Sequence, residues 1–337
     1  MKPNIFKYAT SELSQDAFIC WLLAWAKDEN KSINPKLHNL GIKFLKSLFE
    51  ICKEKFPPNL NRIRIEKQYK RIDVLCMVNG QYALIIEDKT NTKNHFGQLE
   101  RYVNIVKEDF KSHKILPIYF KTGDQSNYDD VEANGYMPYL REDFMKVLNQ
   151  GKDLKIEDSI FRDYLELISE LDNRRRNYLR FELKEIIDNI RNHDAWIGFF
   201  MHLKGELKTG DWDYVSNPSG GFMGYWWNFM GDDKLKIYCQ LEYNCFVFKL
   251  NVDKKEEQKA IRNLVDSQIK DSYVINGKVV KVKRPSRKAT GQYMTLCKVE
   301  GSYLVYDSGA LQLNETIENI RDYSLIVSEI FNKITSE

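Results

Sequence analysis

The chain has 337 residues, 43% apolar and 29% charged, with 51 Lys and Arg against 48 Asp and Glu for a net charge of +3. That length exceeds one ordinary core and predicts two domains, while the small basic excess neither demands nor excludes nucleic acid. The six cysteines, Cys20, Cys52, Cys76, Cys239, Cys245 and Cys297, form no C-x-x-C pair, so buried free thiols in a reducing cytoplasm are expected. The first residues lack the apolar segment of a signal peptide, and FICWLLAWA is too short to span a bilayer. A cytoplasmic protein without membrane association is expected.

Thr10 or Ser11 can cap a first helix, with Glu12 in the turn where the helix dipole favours an acid. Its spacing predicts an apolar stripe of Leu13, Ala17, Cys20, Trp21, Ala24 and Trp25. Glu12 and Asp16 share a flank, and Asp16 alone reads as a solvated charge. A second helix over 35–55 carries Leu37, Leu40, Phe44, Leu45, Leu48 and Phe49, and FPPNLN breaks it. Strands are expected at 62–69, 71–78 and 82–87, the last two joined through Asn79-Gly80, a strong hairpin signal. A helix over 94–109 buries Phe96, Leu99, Tyr102, Val103 and Val106. Gln98 and Tyr102 sit four apart on one of its faces. A strand at 115–120, a polar surface loop and a short strand at 136–139 follow. A helix over 159–171 then closes the unit with Ile160, Phe161, Tyr164, Leu165, Ile168 and Leu171. This order describes an α/β layer around a mixed sheet.

The charge run Asn173-Arg174-Arg175-Arg176-Asn177 marks the boundary between a domain at 1–177 and one at 178–337. Its basic residues continue to Arg191 interleaved with acids, as a solvated linker helix would. The second domain reads as α+β. A helix with Trp196, Ile197, Phe199 and Phe200 precedes strands at 211–216, 222–230, 234–241 and 245–252. A charged helix over 254–269, strands at 273–282 and 293–299, and a helix bearing Ile317, Ile320, Ile326, Ile330 and Ile334 complete it. Within it, KVVKVKRPSRK gathers Lys278, Lys281, Lys283, Arg284, Arg287 and Lys288 without an acid, flanked by Tyr273 and Tyr293. Two readings stand side by side: a grip on a phosphate backbone, or an edge strand protected by lysines.

The chemistry concentrates between Arg71 and Tyr102. Asp73 lies near the start of one apolar strand, and Glu87-Asp88-Lys89 ends the next. Buried charges must be paired or hold a metal. A two-residue loop at Asn79-Gly80 would pair Asp73 with Ile86 and send Asp73 and Glu87 to opposite faces. A three-residue loop or a bulge puts Asp73, Glu87 and Lys89 on one face and turns Asp88 away. The longer loop is therefore expected. Asp73, Glu87 and the Asp88 backbone carbonyl would suit Mg²⁺, a hard cation that keeps several waters, with Mn²⁺ able to substitute. Lys89 can then orient a water or stabilise developing charge, and acts as a base only if burial lowers its pKa.

Asp73 followed by Glu87-x-Lys89, in this order of helices and strands, resembles the PD-(D/E)XK nuclease superfamily. Gln98-x-x-x-Tyr102 resembles the motif of its RecB-like exonuclease branch, and Glu12 the upstream helix acid that completes the metal site in many members. Ile72 stands where the motif is named for proline. The resemblance covers the first half of the chain and implies a restriction-endonuclease-like fold. It also implies an Mg²⁺-dependent nuclease, DNA favoured, with a role in defence against foreign DNA. Asp73, Glu87, Lys89 and Gln98 would be catalytic, Glu12, Asp73, Glu87 and the Asp88 carbonyl metal-binding, and Tyr102, Lys281, Lys283, Arg284, Arg287 and Lys288 nucleic-acid-binding. The second domain would bind substrate, a protein partner, a second copy or a signal. The rival readings are a non-catalytic nucleic-acid-binding module and an effector whose nuclease is gated by a partner. The five histidines show no ligand spacing, so zinc is not expected. No P-loop ending is present, so no NTPase motor is expected.

Overall fold

Two sheets with separate cores divide the chain at 172/173. The computed structural model describes residues 3–90, 92–181, 192–217 and 220–335.

In the first unit β1 (Ile63–Tyr69), β2 (Ile72–Val78), β3 (Tyr82–Lys89), β4 (Lys114–Lys121) and β5 (Met137–Leu140) lie side by side in chain order. Pairing is antiparallel from β1 to β3 and parallel from β3 to β5. Helices α1 (Glu12–Trp25), α2 (Pro35–Ile51), α5 (Arg141–Asp153) and α6 (Ser159–Arg176) pack on one face around Phe18, Phe44, Leu84, Ile86 and Phe144. Helices α3 (Gln98–Asp109) and α4 (Asp129–Ala133) cover the other around Leu75, Ile85, Tyr119 and Tyr136. With helices on both faces, β2 and β3 are almost wholly buried and read as continuous apolar runs.

The β2–β3 hairpin has the three-residue loop that the chemistry requires. Val78 pairs with Tyr82 and Val74 with Ile86, leaving Gln81 out of the ladder. Asn79 and Gly80 both adopt positive φ (56° and 64°), and the Gln81 N–H closes the turn on the Val78 carbonyl at 3.0 Å. The Gln81 carbonyl accepts from the Lys114 N–H of β4 at 2.7 Å, so the looped-out residue still joins the sheet. Carried one step further, this register sets Asp73 opposite Glu87.

Several expectations are corrected. In α1, Leu13 and Ala17 face outward, while Gln15, Asp16, Phe18, Ile19, Leu22 and Leu23 are buried. That helix is apolar nearly all round, so its periodicity selects no face. Phe96 is fully exposed, because α3 begins only at Gln98, after Gly97 at φ 68°. The sequence reading also misses α4 and α5. Ile160 is exposed on α6, whereas Phe161, Tyr164 and Ile168 point inward. Arg175 is not solvated: it is buried and paired with Asp194. Of the expected linker helix, 182–191 lie outside the described residues.

The second unit holds an antiparallel sheet of β6 (Asp211–Val215), β7 (Phe222–Gly231), β8 (Lys236–Glu242), β9 (Cys245–Asn251), β10 (Ser272–Ile275), β11 (Lys278–Lys283) and β12 (Tyr293–Val299). Their order is β10-β11-β12-β9-β8-β7-β6. Helices α7 (His193–Leu207), α8 (Gln258–Gln268) and α9 (Leu313–Thr335) share its core, among them Trp196, Phe200, Val265, Ile320 and Ile330 against Trp227 and Phe246. The expected strand at 273–282 is two strands, turned at Asn276-Gly277 with both residues at positive φ. The edge strand is therefore β10, not the lysine-rich β11. Tyr273 is buried and does not flank a binding surface.

The described cysteines are all free thiols. Among the described residues no helix is long and apolar enough to cross a membrane.

Gly41 sits where α2 crosses α1. A Cβ there would lie 2.6 Å from the Ala26 nitrogen and 2.7 Å from the Leu22 oxygen, both backbone atoms that cannot move aside cheaply. Gly41→Ala is expected to destabilise the fold by about 1–3 kcal/mol, read as a lower urea midpoint. An unchanged midpoint would mean that the crossing is looser than this geometry.

Candidate active site

At the end of the hairpin the register brings Asp73, Glu87 and Lys89 to the α3 side of the sheet. The Lys89 ammonium lies 2.6 Å from Glu87 Oε1 and 4.0 Å from Asp73 Oδ2. Glu87 is fully buried, and its Oε1 also accepts from the Gln98 amide at 2.7 Å. Asp73 Oδ2 accepts the Asp88 N–H at 3.0 Å, and Oδ1 accepts from Gln68 at 3.1 Å. Because a strand residue directs its N–H and C=O to the same edge, the Asp88 carbonyl also leaves β3 on the Asp73 side.

Gln98 is the first residue of α3. Its amide donates to Glu87 and to the Tyr102 hydroxyl (3.2 Å), and its carbonyl accepts the His95 N–H (3.1 Å). Tyr102 is only 3% exposed. This corrects the expectation of a nucleic-acid contact there: its hydroxyl braces Gln98, and its ring has no free face to offer. Glu12 opens α1 and reaches the loop after β3, where Oε1 accepts from the Thr90 N–H (2.9 Å) and the Thr92 hydroxyl (2.7 Å).

One ammonium against two adjacent carboxylates leaves negative charge uncompensated. Burial, with Asp73 adding to it, raises the Glu87 pKa to about 8 despite Lys89. Its Oε2 is buried without a hydrogen-bond partner. Burial works to lower the pKa of Lys89, but Glu87, Asp73 and Glu12 outweigh it and raise it. An orphaned carboxylate oxygen beside a second carboxylate and a strand carbonyl is a hard-oxygen donor set, and it fits a divalent cation. Glu12 does not complete a ligand cluster: among the described residues no three His, Cys, Asp or Glu side chains gather as one.

The sequence reading misses what lies behind this site. Asp16 is buried, not solvated; Oδ2 accepts from Gln68 at 3.3 Å, and burial, then Asp73, raises its pKa to about 6. Asp88 turns to the α1 side, where Gln15 donates to it at 2.5 Å and in turn accepts from Thr122 (2.7 Å) and Tyr164 (2.9 Å). Burial holds the Asp88 pKa well above the usual carboxylate range. Lys121 is a second buried amine, level with Lys89 on the parallel neighbour β4. It donates to the Thr92 carbonyl at 2.5 Å, and burial lowers its pKa to about 8. Period-2 alternation carried one residue past ILPIYF would have placed Lys121 on the Lys89 face.

Of the basic run, Lys278 pairs with Asp322 (3.1 Å), Lys288 with Asp266 (2.7 Å) and Arg284 with Asp271 (3.6 Å). Lys281 and Lys283 point outward from β11, and Arg287 lies exposed beyond it.

A family model for the PD-(D/E)XK nuclease superfamily matches residues 3–202. The chain belongs to that superfamily, whose members are usually metal-dependent nucleases. No curated protein and no solved structure gives a significant match.

Glu87 gives stability a pH dependence of definite sign. Its carboxyl titrates near 4.3 in an unfolded chain and near 8 when folded, so between those values the folded state binds more protons. Stability in EDTA should fall as pH rises from about 5 to about 8, Asp16 adding the same sign at the lower end. Glu87→Gln should flatten much of that slope in thermal melts. A melting temperature that climbs across this window would contradict the assignment.

Proposed function

We propose that the chain is a Mg²⁺-dependent nuclease that hydrolyses phosphodiester bonds, with Mn²⁺ able to replace Mg²⁺. The observation that carries this reading is the buried Glu87 carboxylate, its Oε2 orphaned, opposite Asp73 and beside Lys89. When bound, the cation would neutralise phosphate charge and make a water acidic enough to attack. Asp73, Glu87 and the Asp88 carbonyl are the proposed ligands, with Glu12 acting through a water because Mg²⁺ keeps part of its hydration.

Lys89 holds the attacking water and faces the charge that builds on the phosphate oxygens. The water oxygen forms the new bond to phosphorus as the bridging P–O bond breaks, giving a phosphate monoester and a hydroxyl. Gln98, held by Tyr102, keeps Glu87 in position. Lys281, Lys283 and Arg287 are the proposed phosphate contacts of the second unit, with Arg284 and Lys288 joining them if they exchange their own acids for phosphate. DNA as substrate and defence against foreign DNA are carried over from the superfamily resemblance, a cytoplasmic setting from the unpaired cysteines and the sequence of the first residues, and all three belong to the same proposal.

The test is incubation of the full chain with linear, circular and single-stranded DNA and with RNA, in Mg²⁺, Mn²⁺ or EDTA. Cleavage should vanish in EDTA. Lys89→Ala should lower the rate by about 10²–10³-fold, as loss of a charge-stabilising donor does. Gln98→Ala should cost about 10- to 100-fold, as loss of a group that orients a metal ligand does. Cleavage that survives both Asp73→Ala and Lys89→Ala would sink the site assignment.

A further inference from the structure

The β7–β12 sheet of the second unit has a face turned away from Trp227, Phe246 and the helices of its core. Register defines what that face carries, since directly paired residues project to the same side. Lys236, Asn251 and Tyr293 form one cross-strand row, and Tyr238, Lys249 and Thr295 the next. Gln240, Val247, Lys298 and Lys283 form a third.

Two aromatic side chains stand out of this face. Phe229 is 51% exposed and stacks on the buried Tyr238, with ring centroids 4.6 Å apart and planes 20° apart. Tyr293 is 61% exposed. Strands lie about 4.8 Å apart and residues about 3.4 Å apart along them, so Tyr293, across the intervening β9 and one row along, stands roughly 12 Å from Tyr238. Lys236, Lys281, Lys283 and Lys298 are exposed and make no ion pair with any described residue, unlike Lys278, Arg284 and Lys288, which their own acids occupy. Of the acids on this face, Glu242 at the β8–β9 turn is taken up by Gln240 (2.8 Å) and Lys249 (3.7 Å), while Glu300, whose N–H donates to the Lys281 carbonyl at 2.9 Å, lies exposed at the same end.

Unpaired lysines beside exposed rings on a flat sheet complement a polyanion whose bases are free to stack. A duplex hides those faces within its own stack, whereas a single strand offers them. We propose that this sheet face binds single-stranded nucleic acid, with bases on Phe229 and Tyr293 and phosphates on Lys283 and Lys298. The choice of a nucleic acid rests on the nuclease reading; the choice of a single strand rests on the rings.

The test is fluorescence anisotropy with the full chain in EDTA, so that binding is read without cleavage. The probes are labelled oligo-dT, single-stranded RNA, a DNA duplex of equal length, and anionic phosphatidylserine vesicles. Single strands should bind more tightly than the duplex. Phe229→Ala combined with Tyr293→Ala should weaken single-strand binding by about tenfold or more and leave duplex binding nearly unchanged. Lys283→Glu combined with Lys298→Glu should weaken binding and flatten its salt dependence. Thermal melts of both double variants control for folding. Duplex binding as tight as single-strand binding, aromatic substitutions without effect, or vesicle binding lost in step with them would each overturn the proposal. Expected binding losses from a chain that cleaves nothing would instead fault the nuclease reading, and cleavage without those losses would fault this one.

Discussion

The position of one looped-out residue decides the chemistry of the first unit. With Gln81 outside the β2–β3 ladder, Asp73 stands opposite Glu87 and both face α3. With Gln81 inside, every β3 side chain would change face, and Glu87 and Lys89 would lie under α1 among Phe18 and Leu22. The turn sustains this register because Asn79 tolerates, and Gly80 favours, the left-handed backbone that it needs. Gln81 is not wasted either, since its carbonyl anchors β4 and thereby the strand that carries Lys121.

From that register follows a strand end with opposite duties on its two sides. Glu87 and Lys89 face α3 and are left electrostatically incomplete, with one cation for two acids and a buried oxygen lacking a partner. Asp88, between them in sequence, faces α1 and is enclosed by Gln15, with Thr122 and Tyr164 behind it. A buried amide network of this kind fixes a strand end firmly, and the backbone it fixes carries the Asp88 N–H to Asp73. Beyond the strand, Glu12 holds Thr90 and Thr92, and Lys121 holds Thr92. Incomplete charge on one face is thus backed by a buried polar network on the other, in which Asp88 Oδ2 and Asp16 Oδ1 also lack a hydrogen-bond partner.

What could be read from the sequence was what elementary parity and anomaly expose. Acids and a lysine inside apolar strands are conspicuous, and alternation turns them into a demand on loop length. Asp73, Glu87 and Lys89 were legible for that reason, and Gln98 through the resemblance of Gln98-x-x-x-Tyr102 to a family motif. The mixed sheet followed from element order, and the α2 core from a clean apolar stripe. The rest depended on contacts between distant segments. Asp16 and Gln15 lie on a helix with no distinct polar face, so nothing local marks them as buried. Phe96 looks like part of the α3 stripe until Gly97 is known to delay the helix. The turn at Asn276-Gly277 carried the same dipeptide signal as the β2–β3 hairpin, but the continuous valine and lysine pattern across 273–282 obscured it.

The central claim is that Asp73 and Glu87 share one divalent cation. Binding of Mn²⁺ to the full chain near neutral pH, followed by electron paramagnetic resonance, tests it without reference to any substrate. The account predicts a bound ion that Mg²⁺ displaces and that both Asp73→Asn and Glu87→Gln release. Mn²⁺ held equally well by both variants would contradict it.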